Sequence, residues 1–471
     1  MQALVSDAFC RVAGSEQSSG NRVRLLRDGP QTYPAWLAAI GTAKVAVDLE
    51  NYILQEDRIG GAFADALIAA AGRGVQCRVI YDWMGCLRRT SRPFWRRLAD
   101  AGIAVRVYNP PHLSNPLGWI SRDHRKVLCV DHNLAFTGGL CIGHDWVGDP
   151  DRHIAPWRDT AIEIEGPASG HIRAAFAESW AAAGGGVAGT AVAHQAGRGT
   201  ATGVDISVIA GRPSSGMGLY RLEQLIAEVA ERSLWLSDGY FVATTGYVRA
   251  LCGAAQAGVD VRLLVPGSSN WPIVGALSQS AFRPLLEAGV RVFEWNGPML
   301  HAKTAVADGC LSRIGSSNSN LASWVSNREL DVCVNDPVLA AAMEAMYEED
   351  LGNSTEVVLR RGRSGVMRPV SSGETEFPRR RRASAGRLLS GAIGFGSTLA
   401  ASLSQHRLLG PAEYFVLLGG GGLLLLLGVI AILWPWLVAY PIGAVALWLA
   451  AGLAIHARKL WQASGGEDQD R

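Results

Sequence analysis

The chain is poor in the features that mark several large classes of protein. None of its eight cysteines (Cys10, Cys77, Cys86, Cys129, Cys141, Cys252, Cys310 and Cys333) forms a C-x-x-C pair. Zinc-ligand spacing is therefore missing, and free cytosolic thiols are the expected state. Charge of one sign is missing too: 44 basic against 42 acidic residues leave a formal net charge of +2 over 471 residues. A nucleic-acid protein more often carries a basic face, so no nucleic-acid partner is expected. The opening segment MQALVSDAFCRVAGSEQ has no basic stretch followed by an apolar run, and reads as something other than a secretory signal. No obvious carboxylate cage for a hard cation is visible, so no metal and no cofactor is expected.

Apolar residues, by contrast, make up 48% of the chain. That suffices for a sizeable core, and the length suits two to three domains. Two uncharged runs stand near the C-terminus, residues 415–434 and 436–455, separated by Pro435. Each is long enough to cross a bilayer core of roughly 30 Å. Trp434 and Trp436 flank the turn, as interfacial aromatics do, and Gly419, Gly420, Gly421 and Gly422 would let two helices pack closely. Arg379, Arg380, Arg381, Arg382, Arg387 and Arg407 precede the first run, and Arg458 and Lys459 follow the second. The positive-inside tendency then predicts a transmembrane hairpin with both flanks in the cytoplasm.

The remainder contains an internal repeat. In the first copy a strand-like run ends at Glu50-Asn51-Tyr52-Ile53, followed by the helical GGAFADALIAAAGRG and the strand VQCRVIYD. The second copy runs through LWLSDGYF, TTGYVRALCGAAQAG and VDVRLLVP. Alternating strands and amphipathic helices predict an α/β fold, two halves in a pseudo-twofold arrangement with a mostly parallel sheet. The expected organisation is a first half over residues 1–180, a linker over 181–203 and a second half over 204–351. A basic flexible tether over 352–410, the membrane hairpin over 411–457 and a cytoplasmic tail over 458–471 follow.

Each copy then reaches the same pattern, H-x-K-x4-D-x6-G-(G/S). Copy one has His124, Lys126, Asp131, Gly138 and Gly139; copy two has His301, Lys303, Asp308, Gly315 and Ser316. Such residues suit phosphodiester chemistry. One histidine attacks phosphorus and the other protonates the leaving oxygen, while the lysine ammoniums neutralise charge on the non-bridging oxygens. The small glycines would let the backbone approach a phosphate.

The duplicated pattern resembles the HKD motif of the phospholipase D superfamily, and the resemblance extends over most of residues 21–340. The runs HRKVLCVDHNLAFTGGLCIG, PWRDTAIEIEGP and NRVRLLRDGPQTYPAWLAAIG look most like bacterial cardiolipin synthases. The resemblance implies a catalytic set of His124, His301, Lys126, Lys303, Asp131 and Asp308, with the two aspartates more structural than chemical. It gives Asn318, Ser316 and Gly139 to the phosphate, and Asp159 and Glu329 to orienting the histidine of the opposite half. A carboxylate on one ring nitrogen fixes the tautomer. Cys141 occupies the place matching Asn318, so the phosphate clamp is expected to be asymmetric.

The implied reaction is a ping-pong phosphatidyl transfer through a phosphohistidine to an alcohol such as phosphatidylglycerol, with His124 attacking and His301 as the acid. Hydrolysis of phospholipid to phosphatidic acid is the alternative, followed by a membrane-tethered nuclease. Expected partners are a phospholipid and the membrane, placing the chain in a bacterial inner membrane with its catalytic part facing the cytoplasm. The acceptor alcohol and the oligomeric state stay open.

Overall fold

The computed structural model describes residues 14–111, 121–149, 151, 154–185, 203–213, 217–270, 272–361 and 367–371, with isolated positions between 429 and 450. The first half contributes β1 (Glu16–Arg27), β2 (Ala46–Asn51), β3 (Gln76–Asp82), β4 (Ala104–Tyr108), β5 (Lys126–Val130), β6 (Leu134–Gly138) and β7 (Thr160–Glu165). The second half contributes β8 (Val204–Gly211), β9 (Ser233–Asp238), β10 (Asp260–Pro266), β11 (Arg291–Trp295), β12 (Lys303–Ala307), β13 (Leu311–Gly315) and β14 (Glu329–Asn335). Beyond these lie β15 (Ser354–Arg361) and β16 (Met367–Ser371).

Among the described residues all sixteen strands join one sheet, in the order β16-β15-β11-β10-β9-β12-β13-β14-β8-β1-β7-β6-β5-β2-β3-β4. Reading outward from the β8–β1 pair, the two halves repeat one order, and the antiparallel β1–β8 pairing makes the sheet continuous between them. Helices 28–42, 58–72 and 92–100 belong to the first half, and 218–229, 245–256 and 282–287 to the second. Their starts follow ordinary capping chemistry. Asp57 accepts from the amides of Ile59 and Gly60, and Thr244 from that of Tyr247.

The expectation of a mostly parallel sheet is corrected. Only β2–β3, β3–β4, β9–β10 and β10–β11 are parallel; the other pairs run antiparallel. The strand–helix–strand repeat accounts for the parallel part. The remainder arises because each motif is itself a hairpin: β5 turns at Asp131 into β6, and β12 turns at Asp308 into β13. Both aspartates have positive φ, 51° and 55°, in the left-handed region that aspartate tolerates better than most residues.

Four apolar clusters hold this arrangement, the smallest made of Ile80, Tyr108, Phe176 and Trp180. One surrounds Trp36, Phe63 and Phe136 in the first half, and another Leu222, Tyr247 and Leu263 in the second. The third takes Val127, Ile162 and Ile164 from one half and Ile314, Leu330 and Val332 from the other. The two halves thus share a core, and both lie in the compact unit of residues 1–108 and 122–399.

The tether is also corrected. It does not begin at residue 352, because β15 adds antiparallel to the edge strand β11 and β16 pairs with β15. Val357, 3% exposed, packs into the second-half core, so this polar-looking segment has an apolar face. A separate unit comprises residues 109–121 and 400–471. Within it the Asn109 side-chain amide donates to the Ser121 carbonyl at 3.1 Å. The rest of the expected tether and most of the expected hairpin over 411–457 lie outside the described residues. Among the described residues, no helix is long and apolar enough to cross a membrane.

Candidate active site

The histidines sit just ahead of strands β5 and β12, in extended segments bound to the opposite half. Asp123 forms a parallel bridge with Arg328, and the His124 amide donates to the Arg328 carbonyl at 2.9 Å. Likewise Arg158 bridges Leu300, and the His301 amide donates to the Arg158 carbonyl at 2.7 Å. Arg328 immediately precedes Glu329, and Arg158 immediately precedes Asp159. Each backbone contact therefore brings the carboxylate of one half to the histidine of the other.

The side chains complete the exchange. His124 Nδ1 lies 2.9 and 3.0 Å from the Glu329 carboxylate oxygens, and His301 Nδ1 lies 2.8 Å from Asp159 Oδ2. Both carboxylates are wholly buried. Glu329 also accepts from Ser316 Oγ at 2.6 Å, and Asp159 accepts from Trp146 Nε1 and the Thr160 amide, each at 2.8 Å. With Nδ1 engaged by a carboxylate, Nε2 of each ring is left for chemistry.

Electrostatics favour neutral rings beside ionised carboxylates. Burial lowers the His124 pKa, opposed by Glu329 and assisted by Lys126 and Lys303. Burial and then Lys303 push His301 down to about 3, against the pull of Asp159. Asp159 and Glu329 both fall below the ordinary carboxylate range: burial acts to raise them, but the facing histidines and lysines outweigh it.

Lys126 Nζ donates to the His124 carbonyl and lies 5.3 Å from the Tyr52 ring centre. Lys303 Nζ donates to the His301 carbonyl and lies 5.8 Å from the Tyr240 ring centre. Burial lowers the Lys303 pKa to about 8, against the pull of Asp159. Tyr52 meets the His124 ring edge-on at 4.9 Å, and Tyr240 meets the His301 ring edge-on at 5.7 Å.

His124, His301, Tyr52, Tyr240, Cys141 and Asn318 line one cleft of about 1060 Å³, at the upper end of the sizes usual for ligand sites. Asn318 is 4% exposed and its side-chain oxygen has no partner among the described residues. A buried unpaired amide oxygen in a cleft is available to a ligand. Cys141, 1% exposed, faces the same cleft, and burial raises its thiol pKa.

Several motif residues stand elsewhere. Asp131 accepts from the amides of Lys44, Val45 and Ala46 at 2.7 to 3.2 Å. Asp308 accepts from those of Glu231, Arg232 and Ser233 at 2.7 to 3.2 Å. These aspartates clamp the starts of the inner strands β2 and β9; neither lines the cleft. Ser316 stands beside Glu329: its hydroxyl donates to that carboxylate and accepts the Leu330 amide at 2.9 Å. Gly139 stands beside the other orienting carboxylate. A Cβ there would lie 2.1 Å from Asp159 Oδ1, so its smallness makes room for the carboxylate. At Gly315 the obstructing atom is Asp331 Oδ1, at 1.9 Å.

Sequence reasoning missed Tyr52, Tyr240 and Trp146. Tyr52 and Tyr240 follow the tips of the matching strands β2 and β9, a signal visible in the repeat. Trp146 carried no such signal, because its role depends on a contact with Asp159 made only in the folded chain.

Residues 36–145 and 222–351 match the family described as "Cardiolipin synthase, PLD-like domain". Cardiolipin synthase 1 of Bacillus cereus is 31% identical over 362 residues, covering 75% of this chain and 71% of that protein. A cardiolipin synthase of Geobacillus is 31% identical over 357 residues, 74% of this chain and 69% of that one. The crystal structure of phosphatidylserine synthase from Haemophilus influenzae superposes with a TM-score of 0.56 at 14% identity, covering 75% of this chain and 91% of that chain. At that identity the likeness concerns the fold.

Proposed function

From the premise that this chain belongs to the phospholipase D-like cardiolipin synthase family, we propose that it transfers a phosphatidyl group from one phosphatidylglycerol to another through a phosphohistidine. The phosphatidyltransferase class follows from the cardiolipin synthase relatives. One observation carries the reading of the site: two histidines line one cleft, and each Nδ1 is bound to a carboxylate supplied by the other half.

In the first step His124 Nε2 attacks phosphorus. A P–N bond forms, the P–O bond to the headgroup glycerol breaks, and the departing oxygen takes a proton from His301. In the second step the acceptor hydroxyl gives its proton to His301, its oxygen bonds to phosphorus, and the P–N bond breaks. Cardiolipin and glycerol are the products. Lys126 and Lys303 offset the charge on the non-bridging oxygens, and Asn318 supplies a further polar contact. His124 takes the attack by its resemblance to the N-terminal histidine of two-motif relatives. Both rings are favoured neutral at rest, so the proton on His301 arrives when the phosphodiester anion binds and raises its affinity for one.

Attachment to the membrane through residues 411–457, with both flanks cytoplasmic, is part of the same reading. It is supported by the two uncharged runs and by the arginines before them. Anchoring would hold the cleft at the surface where its lipids lie.

The test is purified protein with phosphatidylglycerol in mixed micelles and separation of the lipid products. Cardiolipin and free glycerol in equal amounts are expected from the wild type, with loss of both in His124→Ala and His301→Ala. Phosphatidic acid as the sole product would establish hydrolysis instead.

A further inference from the structure

The two halves repeat one fold, yet they furnish the cleft differently. Its second-half wall is uncharged, with Asn270, Asn320 and Asn327. Its first-half wall carries three arginines, Arg88, Arg89 and Arg122, together with three carboxylates, Glu56, Asp57 and Asp145. Two of the arginines are already engaged. Arg122 pairs with Asp82 at 3.1 Å, and Arg89 lies 3.9 Å from Asp145. Arg88 is exposed, lines the cleft, and has no hydrogen-bond or ion-pair partner among the described residues.

A second observation singles out the same residue. Arg88 has a φ of 60°, in the left-handed region that a long side chain rarely adopts. Such strain persists where the surroundings enforce it, and it gathers at ligand sites. Beside it Leu87 is 40% exposed and also lines the cleft. The loop therefore offers an unpaired cation next to an exposed apolar side chain, the combination that suits a phosphodiester with hydrocarbon attached.

We propose that Arg88, with Leu87 beside it, holds the phosphate of the second lipid, the acceptor, while the first lipid's phosphorus is bound to histidine. The proposal rests on the phosphatidyl-transfer reading and adds to it the place of the acceptor. An anionic lipid alcohol is selected over water and small neutral alcohols because only it carries a charge for Arg88 to meet. Among the described residues the matching region of the second half offers no cation to the cleft, so the two lipids occupy unlike walls of one symmetric fold.

The experiment is a partition assay with the full-length protein. Phosphatidylglycerol serves as both donor and acceptor in the presence of ethanol, and the ratio of cardiolipin to phosphatidylethanol is measured. Arg88→Ala should lower this ratio at least tenfold, and Arg88→Lys should restore part of it. The loss should appear in the KM for the lipid acceptor rather than in kcat. Arg88→Gly, which relieves the backbone, should lower the ratio equally while melting no lower than the wild type, so a folding defect cannot imitate the effect. Glycerol phosphate as a soluble acceptor separates charge from chain: its transfer relative to ethanol should fall in parallel. A ratio unchanged in Arg88→Ala, or one that falls for the lipid but not for glycerol phosphate, would overturn the phosphate contact. A wild type that forms phosphatidylethanol but no cardiolipin would remove the transfer reading itself, and the acceptor site with it.

Discussion

Replacing Asp159 by asparagine removes one charge and almost no volume, and it tests the crossed carboxylate–histidine pairs directly. Asp159 is wholly buried and accepts three hydrogen bonds of 2.8 Å, from His301 Nδ1, Trp146 Nε1 and the Thr160 amide. An asparagine oxygen placed like Oδ2 keeps the first two and presents its NH2 group to the Thr160 amide, so one donor loses its partner. The larger effect falls on the reaction. When His301 carries the proton for the leaving alcohol, a full negative charge at Asp159 stabilises it. Two unit charges about 4 Å apart interact by about 4 kcal/mol at an effective dielectric constant near 20. At about 1.4 kcal/mol per decade this corresponds to roughly a thousandfold in kcat. The assay is steady-state cardiolipin formation from phosphatidylglycerol micelles, with circular dichroism and a melting curve to establish folding. A folded Asp159→Asn enzyme retaining more than a tenth of wild-type kcat would refute the role assigned to this carboxylate.

Further outcomes follow from the same geometry. Gly139→Ala should displace the Asp159 carboxylate, because the added Cβ would lie 2.1 Å from Oδ1; activity should fall with destabilisation of about 1–3 kcal/mol by denaturant titration, as in other overpacked sites. Asp131→Ala and Asp308→Ala should each lower the melting temperature by several degrees, since both cut the bonds that clamp a strand start; a lower kcat at unchanged stability would count against that role. Stability should fall on acidification. The histidines have folded pKa values below their unfolded value near 6.5, so their contribution is complete above that pH and declines as pH drops toward about 3 for His301. Asp159 and Glu329, also depressed, add a loss in the same direction at lower pH. Denaturant midpoints from pH 7 to pH 4 should show the decline, and His301→Gln should flatten its upper part. A reporter fused after Arg471 should read as cytoplasmic; an exported reporter would overturn the membrane topology proposed for residues 411–457.

The repeat and its two motifs were legible because each is local: strand, helix, strand and H-x-K-x4-D recur at matching points along the chain. Contacts between distant residues were harder to read. Ser316 and Gly139 occupy one position of the motif, and by residue type both suit a phosphate. In the folded chain that position faces the orienting carboxylate. In the first half glycine leaves space for Asp159, and in the second a serine hydroxyl bonds the longer Glu329. Alternating strands and helices signal only the parallel pairs, whereas the spacing of each motif is that of a hairpin turning at Asp131 and Asp308. Strands β15 and β16 were hidden by a polar composition in which one residue, Val357, supplies the contact with the core. Arg88 gave no signal at all, since neither its freedom from ion pairs nor its backbone conformation is written in residue type.

The covalent phosphatidyl-histidine is the centre of the account, and trapping it is the most direct test. Protein exposed briefly to phosphatidylglycerol labelled at phosphorus is quenched in alkali, where a phosphorus–nitrogen bond survives, then digested and its peptides mapped. The account predicts label on the peptide bearing His124, absent from His124→Ala and accumulating in His301→Ala if that variant still completes the first step. Label on His301 alone would exchange the roles of the two rings. A wild-type enzyme that turns over under the same conditions and yields no labelled histidine would contradict the mechanism.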